Sequence, residues 1–379
     1  MQGYFDHAAT TLIDPEVAKR VYDAMLEFPG NPSSSHRLGM QAAVMLKKAR
    51  AGIASLVGAS EQEIFFTSGG TEGNNLLLQG AAERMQKKAP QILYSETEHA
   101  SVSETVAHLG QKGSSPVAIA PQKNGGVDPE GFLSALSDKV GLATFMAINN
   151  ETGATNPVSS LAKEIKKRQK ETLVHTDLVS SLGKMPIHLS TMGVDMATFS
   201  GHKIHGPYGV GFVYIKKGLH LRPFLLGGAQ MEKVRPGTEN LPAVLGLSLA
   251  LEKAIAAQKK NYDAAKKCRE AAIGALSAGL QNPTFRIGES DSPFILNLST
   301  NTVKSETVLN YLSGKGFYIS AGSACAKGAQ SHVLQAMGLP KKESDTALRL
   351  SFSSDNTVEE TLLLAKAIIE AEQTLRHAY

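Results

Sequence analysis

Residues 173–215 read LVHTDLVSSLGKMPIHLSTMGVDMATFSGHKIHGPYGVGFVYI, and the spacing of their apolar runs decides the fold class. Three short runs rich in β-branched and aromatic residues read as strands: LVHTD (173–177), MATFS (196–200) and VGFVYI (210–215). Residues 178–195 leave room for the crossover that a parallel pair needs. GHKIHGPYG (201–209) is short, and suits an antiparallel pair.

The same texture extends upstream. Strand-like runs stand at EIFFTS (63–68), QILYS (91–95), VAIA (117–120) and LATFMAI (142–148), with helical patterns between most of them. Asp14 and Pro15 supply an N-cap and a first helical position for PEVAKRVYDAMLEF, and a longer helical pattern runs from about Ser35 to Gly58. This alternation predicts an α/β protein with a mostly parallel seven-stranded sheet covered on both faces. From Glu239 a long amphipathic region leads to Gln281, followed by the strand-like pieces SPFILNLS, GFYISAG and ALRLSF and a last helix over 358–377. The change of texture marks a smaller α+β domain. The expected division is a large domain at 15–255 and a small one made of 1–14 and 256–379.

The 379 residues are 42% hydrophobic and 20% charged, a globular composition that excludes disorder as the main state. Thirty-nine basic against 35 acidic residues leave +4, too little for a strong phosphate-backbone binder, so direct nucleic-acid binding is not expected. Lysine clusters at 163–170 and 259–267 lie on helical patterns with apolar spacing and read as solvated faces. Cys268 and Cys325 form neither a disulfide framework nor a zinc-like pair; no metal is expected, and a reducing compartment fits. MQGYFDHAATTLID lacks a basic leader, and no run reaches the ~18 apolar residues of a membrane helix. The expectation is a cytoplasmic protein without a membrane partner.

Three stretches carry chemistry. Strand 63–68 runs into Ser68, Gly69, Gly70, Thr71, Glu72 and Gly73, a glycine-rich turn before a helical pattern; such a turn suits a phosphate and equally serves as a tight turn with no ligand. Ser200, Gly201, His202, Lys203, Ile204 and His205 place a lysine just past a strand end. A lysine disfavoured as ammonium becomes a nucleophile able to hold a carbonyl cofactor as a Schiff base. Asp177, at another strand end, suits the protonated nitrogen of a pyridine ring and equally caps a helix. A phosphate cradle, a Schiff-base lysine and a pyridinium partner together are what pyridoxal 5'-phosphate requires. His99, in SETEHAS, could lay its ring on a flat cofactor, and Asn150, in INNETG, could donate to a cofactor or substrate oxygen.

The chain resembles the cysteine desulfurases of the NifS/IscS type, in the class V aminotransferase branch of fold-type I pyridoxal-phosphate enzymes. The motifs run in the family's order: FDHAATT, GNPSSSHRLG, FFTSGGTEGNN, ETEHASV, NNETG, HTD, SGHKIHGPYGVG, RPGTEN, SAGSACAKG, SHVLQAMG and ALRLSF. The resemblance implies that Lys203 carries the cofactor, Asp177 meets the pyridine nitrogen, His99 stacks on the ring and Thr71 contacts the phosphate. It implies that Gly70, Ser200, Gly201 and His202 belong to the phosphate cup, and that Thr238 reaches the cup of a partner subunit in a homodimer. Asn150 and Arg349 are implied contacts for cofactor and substrate carboxylate. Ser180 stands near the cofactor's phenolic oxygen, where the family usually has glutamine.

Cys325, in ISAGSACAKG, matches the position of the desulfurase nucleophile. The small residues around it offer little packing area, so a mobile loop over 323–330 is expected, about two residues shorter than is usual between Cys325 and Ser331. Cys268 matches no motif and is assigned to structure. The implied reaction converts L-cysteine to L-alanine with a persulfide on Cys325, passed to a sulfur-acceptor protein such as an iron-sulfur scaffold. The alternatives are a class V aminotransferase, a selenocysteine lyase, or a weakly active cofactor-binding scaffold for sulfur-transfer partners.

Overall fold

The computed structural model describes residues 2–322 and 331–379. A seven-stranded sheet runs in the order 64–67, 211–215, 196–200, 173–177, 140–144, 91–95 and 115–119. Gly211–Ile215 is antiparallel to both neighbours, as the short 201–209 connection predicted, and the other pairs are parallel. The strand expected at 142–148 stops at Thr144. Beyond it the Met146 N–H donates to Glu98 Oε1 at 2.7 Å, and its carbonyl accepts from Asn156 Nδ2 at 2.7 Å. At Met146 side chains thus replace the sheet ladder, while the Phe145 and Ala147 N–H groups still donate to the His175 and Asp177 carbonyls, and the backbone turns farther on, through Asn149–Gly153.

The helix Pro15–Glu27 begins where Asp14 accepts from the backbone of Glu16 and Val17. The long amphipathic region from Glu239 to Gln281 is helical, as two helices, Leu241–Ala256 and Gln258–Gly279, bent by 69°. No single helix among the described residues is long and apolar enough to cross a membrane.

Two hydrophobic cores hold the molecule. The first joins the seven-stranded sheet to its helices through residues such as Leu77, Ile92, Leu142, Val174, Phe199 and Phe212. The second packs an antiparallel sheet of 284–286, 295–299 and 347–351 against Gln258–Gly279 and Val358–Thr374, with Leu276, Leu296, Leu348 and Ile368 at its centre. Each such fully buried side chain contributes roughly 1.5–3 kcal/mol. Phe5 and Ala8 belong to the second core, and Gly3–Tyr4 pairs in parallel with Phe317–Tyr318. The N-terminal segment therefore leaves the small sheet and passes along the carboxyl ends of the parallel strands, where open α/β sheets bind ligands.

Candidate active site

At those strand ends lies a cavity of about 210 Å³. Lys203 reaches it from a single 3₁₀ turn, Gly201–Lys203, that follows the strand Met196–Ser200. Its Nζ donates to the carbonyls of Ala8 at 2.5 Å and Ala9 at 2.7 Å. Burial, and then the nearby charges of Lys184 and Arg349, pull its pKa down to about 7. A lysine that is half neutral at pH 7 is a competent nucleophile.

The glycine-rich turn forms the opposite wall. Gly69 adopts φ 152° and ψ −169°, a conformation essentially restricted to glycine, and precedes the helix Gly70–Met85. No side chain caps this helix, so its first N–H groups face the cavity region with the helix dipole behind them. A Cβ on Gly70 would come within 2.9 Å of Val179 Cγ2, so only glycine leaves this approach open. Glu72 ties the turn down: it accepts from the Ser68 N–H at 2.8 Å and pairs with Arg235 at 2.8 and 3.3 Å. Gly70, Thr71, Ser200 and His202 line the cavity. Burial, then the charges of Lys203 and Lys184, push the His202 pKa to about 4, so at neutral pH it offers a polar ring without a charge.

Asp177 ends its strand with Oδ1 accepting from the Val179 N–H at 2.9 Å and Oδ2 accepting from Asn74 Nδ2 at 2.8 Å. Asn74, fully buried, also donates to Ser101 Oγ at 2.8 Å. His99 is the N-cap of the helix Ala100–Gln111, its Nδ1 lying 3.1 Å from the Ser101 N–H nitrogen and 2.8 Å from Ser101 Oγ. Burial lowers the His99 pKa. Buried Glu98 beside it is raised well above the carboxylate range, by burial and then by Asp177.

Arg349 enters from the strand Ala347–Ser351. Its guanidinium is almost fully buried, with Nη2 on Asp6 at 2.8 Å and Nη1 donating to the Asn150 carbonyl at 3.1 Å. Nε is buried without a partner among the described residues, a donor open to a carboxylate in the cavity that Arg349 lines.

Of the residues singled out from sequence, Lys203, Asp177, His99, Gly70, Thr71, Asn150, Ser180, Ser200, His202 and Arg349 meet around this cavity. Gly201 does not line it; its N–H goes to the Val210 carbonyl at 3.0 Å. Thr238 is exposed and 3.5 Å from Asn31 Nδ2, also outside the lining. Cys325 and the loop 323–330 lie outside the described residues. Cys268 is buried in the second core, its thiol on the Asn356 carbonyl at 3.6 Å. Asn74, Ser101, Ala8 and Ala9 were not singled out, although GGTEGNN, ETEHASV and FDHAATT contain them.

The aminotransferase class-V family model matches residues 3–364. The cysteine desulfurase IscS of Methanosarcina thermophila is 35% identical over 381 residues, covering 99% of this chain and 93% of that protein. A solved structure described as a NifS-like protein superposes with a TM-score of 0.93 at 36% identity, covering 99% of this chain and all of the other. A structure described as SspA in complex with cysteine superposes with a TM-score of 0.82 at 28% identity, over 92% and 98% of the two chains.

Proposed function

The chain belongs to the aminotransferase class-V family and, within it, to the cysteine desulfurases of the NifS/IscS type, and from that membership we propose that it binds pyridoxal 5'-phosphate and takes sulfur from L-cysteine. L-Cysteine and the Cys325 thiol give L-alanine and a persulfide on Cys325. The observation that carries the reading is the convergence of a low-pKa lysine, a strand-end carboxylate and an uncapped helix terminus on one cavity.

The residues fit the cofactor. An uncapped helix N-terminus with Thr71 and Ser200 hydroxyls suits a phosphate, and Asp177 keeps lone pairs for a protonated ring nitrogen. When bound, pyridoxal 5'-phosphate supplies an aldehyde that joins an amine and a ring that withdraws electrons from the substrate Cα. Gly70, Thr71, Ser200 and His202 would hold the phosphate, Asp177 the ring nitrogen, and Asn150 and Ser180 the oxygen side. His99 would cover the ring face. Lys203 accepts and returns the Cα proton, a task suited to an amine with a pKa near the working pH. Arg349 receives the substrate carboxylate on Nε, and the Cys325 thiolate attacks the substrate sulfur as its bond to carbon breaks.

The working form on this reading is a homodimer in the cytoplasm. Tyr22, Met25 and Leu26 on Pro15–Glu27, with Met40 and Val44 on Arg37–Leu56, form exposed apolar surface that a second copy would cover, and exposed Thr238 would complete the partner's phosphate cup. A sulfur-acceptor protein, such as an iron-sulfur scaffold, takes the persulfide sulfur. The test is incubation with L-cysteine and a thiol reductant, without any keto acid. Alanine and sulfide in equal amounts are expected. Alanine that appears only when a keto acid is added would make the protein an aminotransferase, and none under either condition would overturn the reading.

A further inference from the structure

Four side chains form a continuous hydrogen-bonded line across the cavity wall: Asp177, Asn74, Ser101 and His99. Its polarity can be read from the donors. The Ser101 backbone N–H lies on His99 Nδ1, and an N–H only donates, so Nδ1 carries a lone pair and no proton. Ser101 Oγ, 2.8 Å from the same nitrogen, must then donate to it as well. At the other end the Asp177 carboxylate only accepts, which fixes the Asn74 amide with its NH₂ toward both Asp177 and Ser101. The bonds thus run outward from the Asn74 amide, to Asp177 on one side and through Ser101 to His99 on the other, and the neutral ring of His99 has its proton on Nε2.

We propose that Asn74 and Ser101 are positioning residues that lock His99 as the neutral Nε2–H tautomer, so that this ring meets cofactor and substrate as a hydrogen-bond donor and never as a base. Protonation would have to occur at Nδ1, against a backbone N–H that cannot turn and a hydroxyl already engaged by Asn74. Burial opposes the charged ring further. Among the charges facing it, Lys203 and His332 disfavour protonation while Asp177 and Glu151 favour it. The proton traffic then falls to Lys203. The inference rests on the desulfurase reading for what the ring touches, but its geometry stands in the protein alone.

The test uses full-length protein labelled with ¹³C and ¹⁵N histidine, the His99 signals being assigned by their loss in His99→Gln. Ring carbon and nitrogen shifts distinguish the two neutral tautomers and the cation. The expected wild-type spectrum is the neutral Nε2–H form, unchanged between about pH 5.5 and 8.5, the range in which an unperturbed histidine titrates. Asn74→Asp should reverse the two bonds that lead from position 74 through Ser101 to His99. Whether or not the new carboxyl shares a proton with Asp177, its other oxygen takes the Ser101 hydroxyl proton, and His99 should gain roughly tenfold or more in proton affinity. Ser101→Ala removes one donor from Nδ1 and should raise the midpoint by roughly half to one pH unit, with Ser101→Thr restoring it.

A wild-type ring protonated on Nδ1, or one that titrates near pH 6.5 with both substitutions leaving it unmoved in folded protein, would overturn the proposal. Alanine formation is measured on the same samples. Loss of the desulfurase reading would show there, while the tautomer is read from the ring whatever the turnover.

Discussion

The Arg349 guanidinium lies 2.8 Å from the Asp6 carboxylate and leaves its buried Nε without a partner among the described residues. Asp6 holds one edge of the side chain, so the arginine waits in place with a directed donor remaining. Arg349→Lys keeps the charge and loses the planar fork, so it should raise KM for cysteine and lower kcat/KM by roughly 10- to 100-fold, with a smaller change in kcat. Steady-state alanine formation measures this, and an unchanged KM would remove Arg349 from the carboxylate site.

The Lys203 pKa of about 7 sets the pH dependence of cofactor capture. Cofactor-free protein mixed with pyridoxal 5'-phosphate should develop its visible band about tenfold faster per pH unit up to pH 7, then level off as the amine becomes neutral. Lys184→Met removes a neighbouring positive charge and should move the inflection upward. A rate still climbing at pH 9 in the wild type would contradict the depressed pKa.

Gly69→Ala places a side chain on a backbone at φ 152° and ψ −169°. It should cost about 1–3 kcal/mol in unfolding free energy and loosen cofactor binding, because the helix N-terminus shifts with the turn. Denaturant melts of the cofactor-free protein and a titration of the visible band report the two effects separately.

Glu98 yields a stability prediction whose sign differs from that of an ordinary carboxylate. Its folded pKa stands well above 4.5, so above that pH the unfolded chain releases a proton that the folded chain keeps, and this group's contribution falls as pH rises. Glu98→Gln has nothing to release. The variant should gain in stability over wild type between pH 5 and 8, and a constant difference would show that Glu98 is already ionised.

Local signals made much of this molecule legible. Strand runs, the Asp14 cap and the short 201–209 connection each act within a few residues, and together they gave the parallel sheet with its antiparallel member. Lys203 and Asp177 stood out because strand ends in such sheets gather at one edge. Asn74 was hidden: it meets Asp177 across 103 positions of sequence, and nothing near it marks the contact. Ala8 and Ala9 act only through carbonyls that receive Lys203, which residue type does not reveal. LATFMAI read as one strand because its apolar run continues past Thr144; Phe145 and Ala147 still pair with His175 and Asp177, but at Met146 the N–H goes to the distant Glu98 side chain in place of a neighbouring strand.

The central claim is that sulfur from L-cysteine passes to one thiol of this chain. Single-turnover reaction of the cofactor-loaded protein with L-cysteine, followed by alkylation and peptide mass spectrometry, tests it most directly. One added sulfur on the peptide carrying Cys325 is predicted, together with one alanine per site, and both should be lost in Cys325→Ala. Alanine released at the wild-type rate by Cys325→Ala, or added sulfur found on Cys268 instead, would contradict the account.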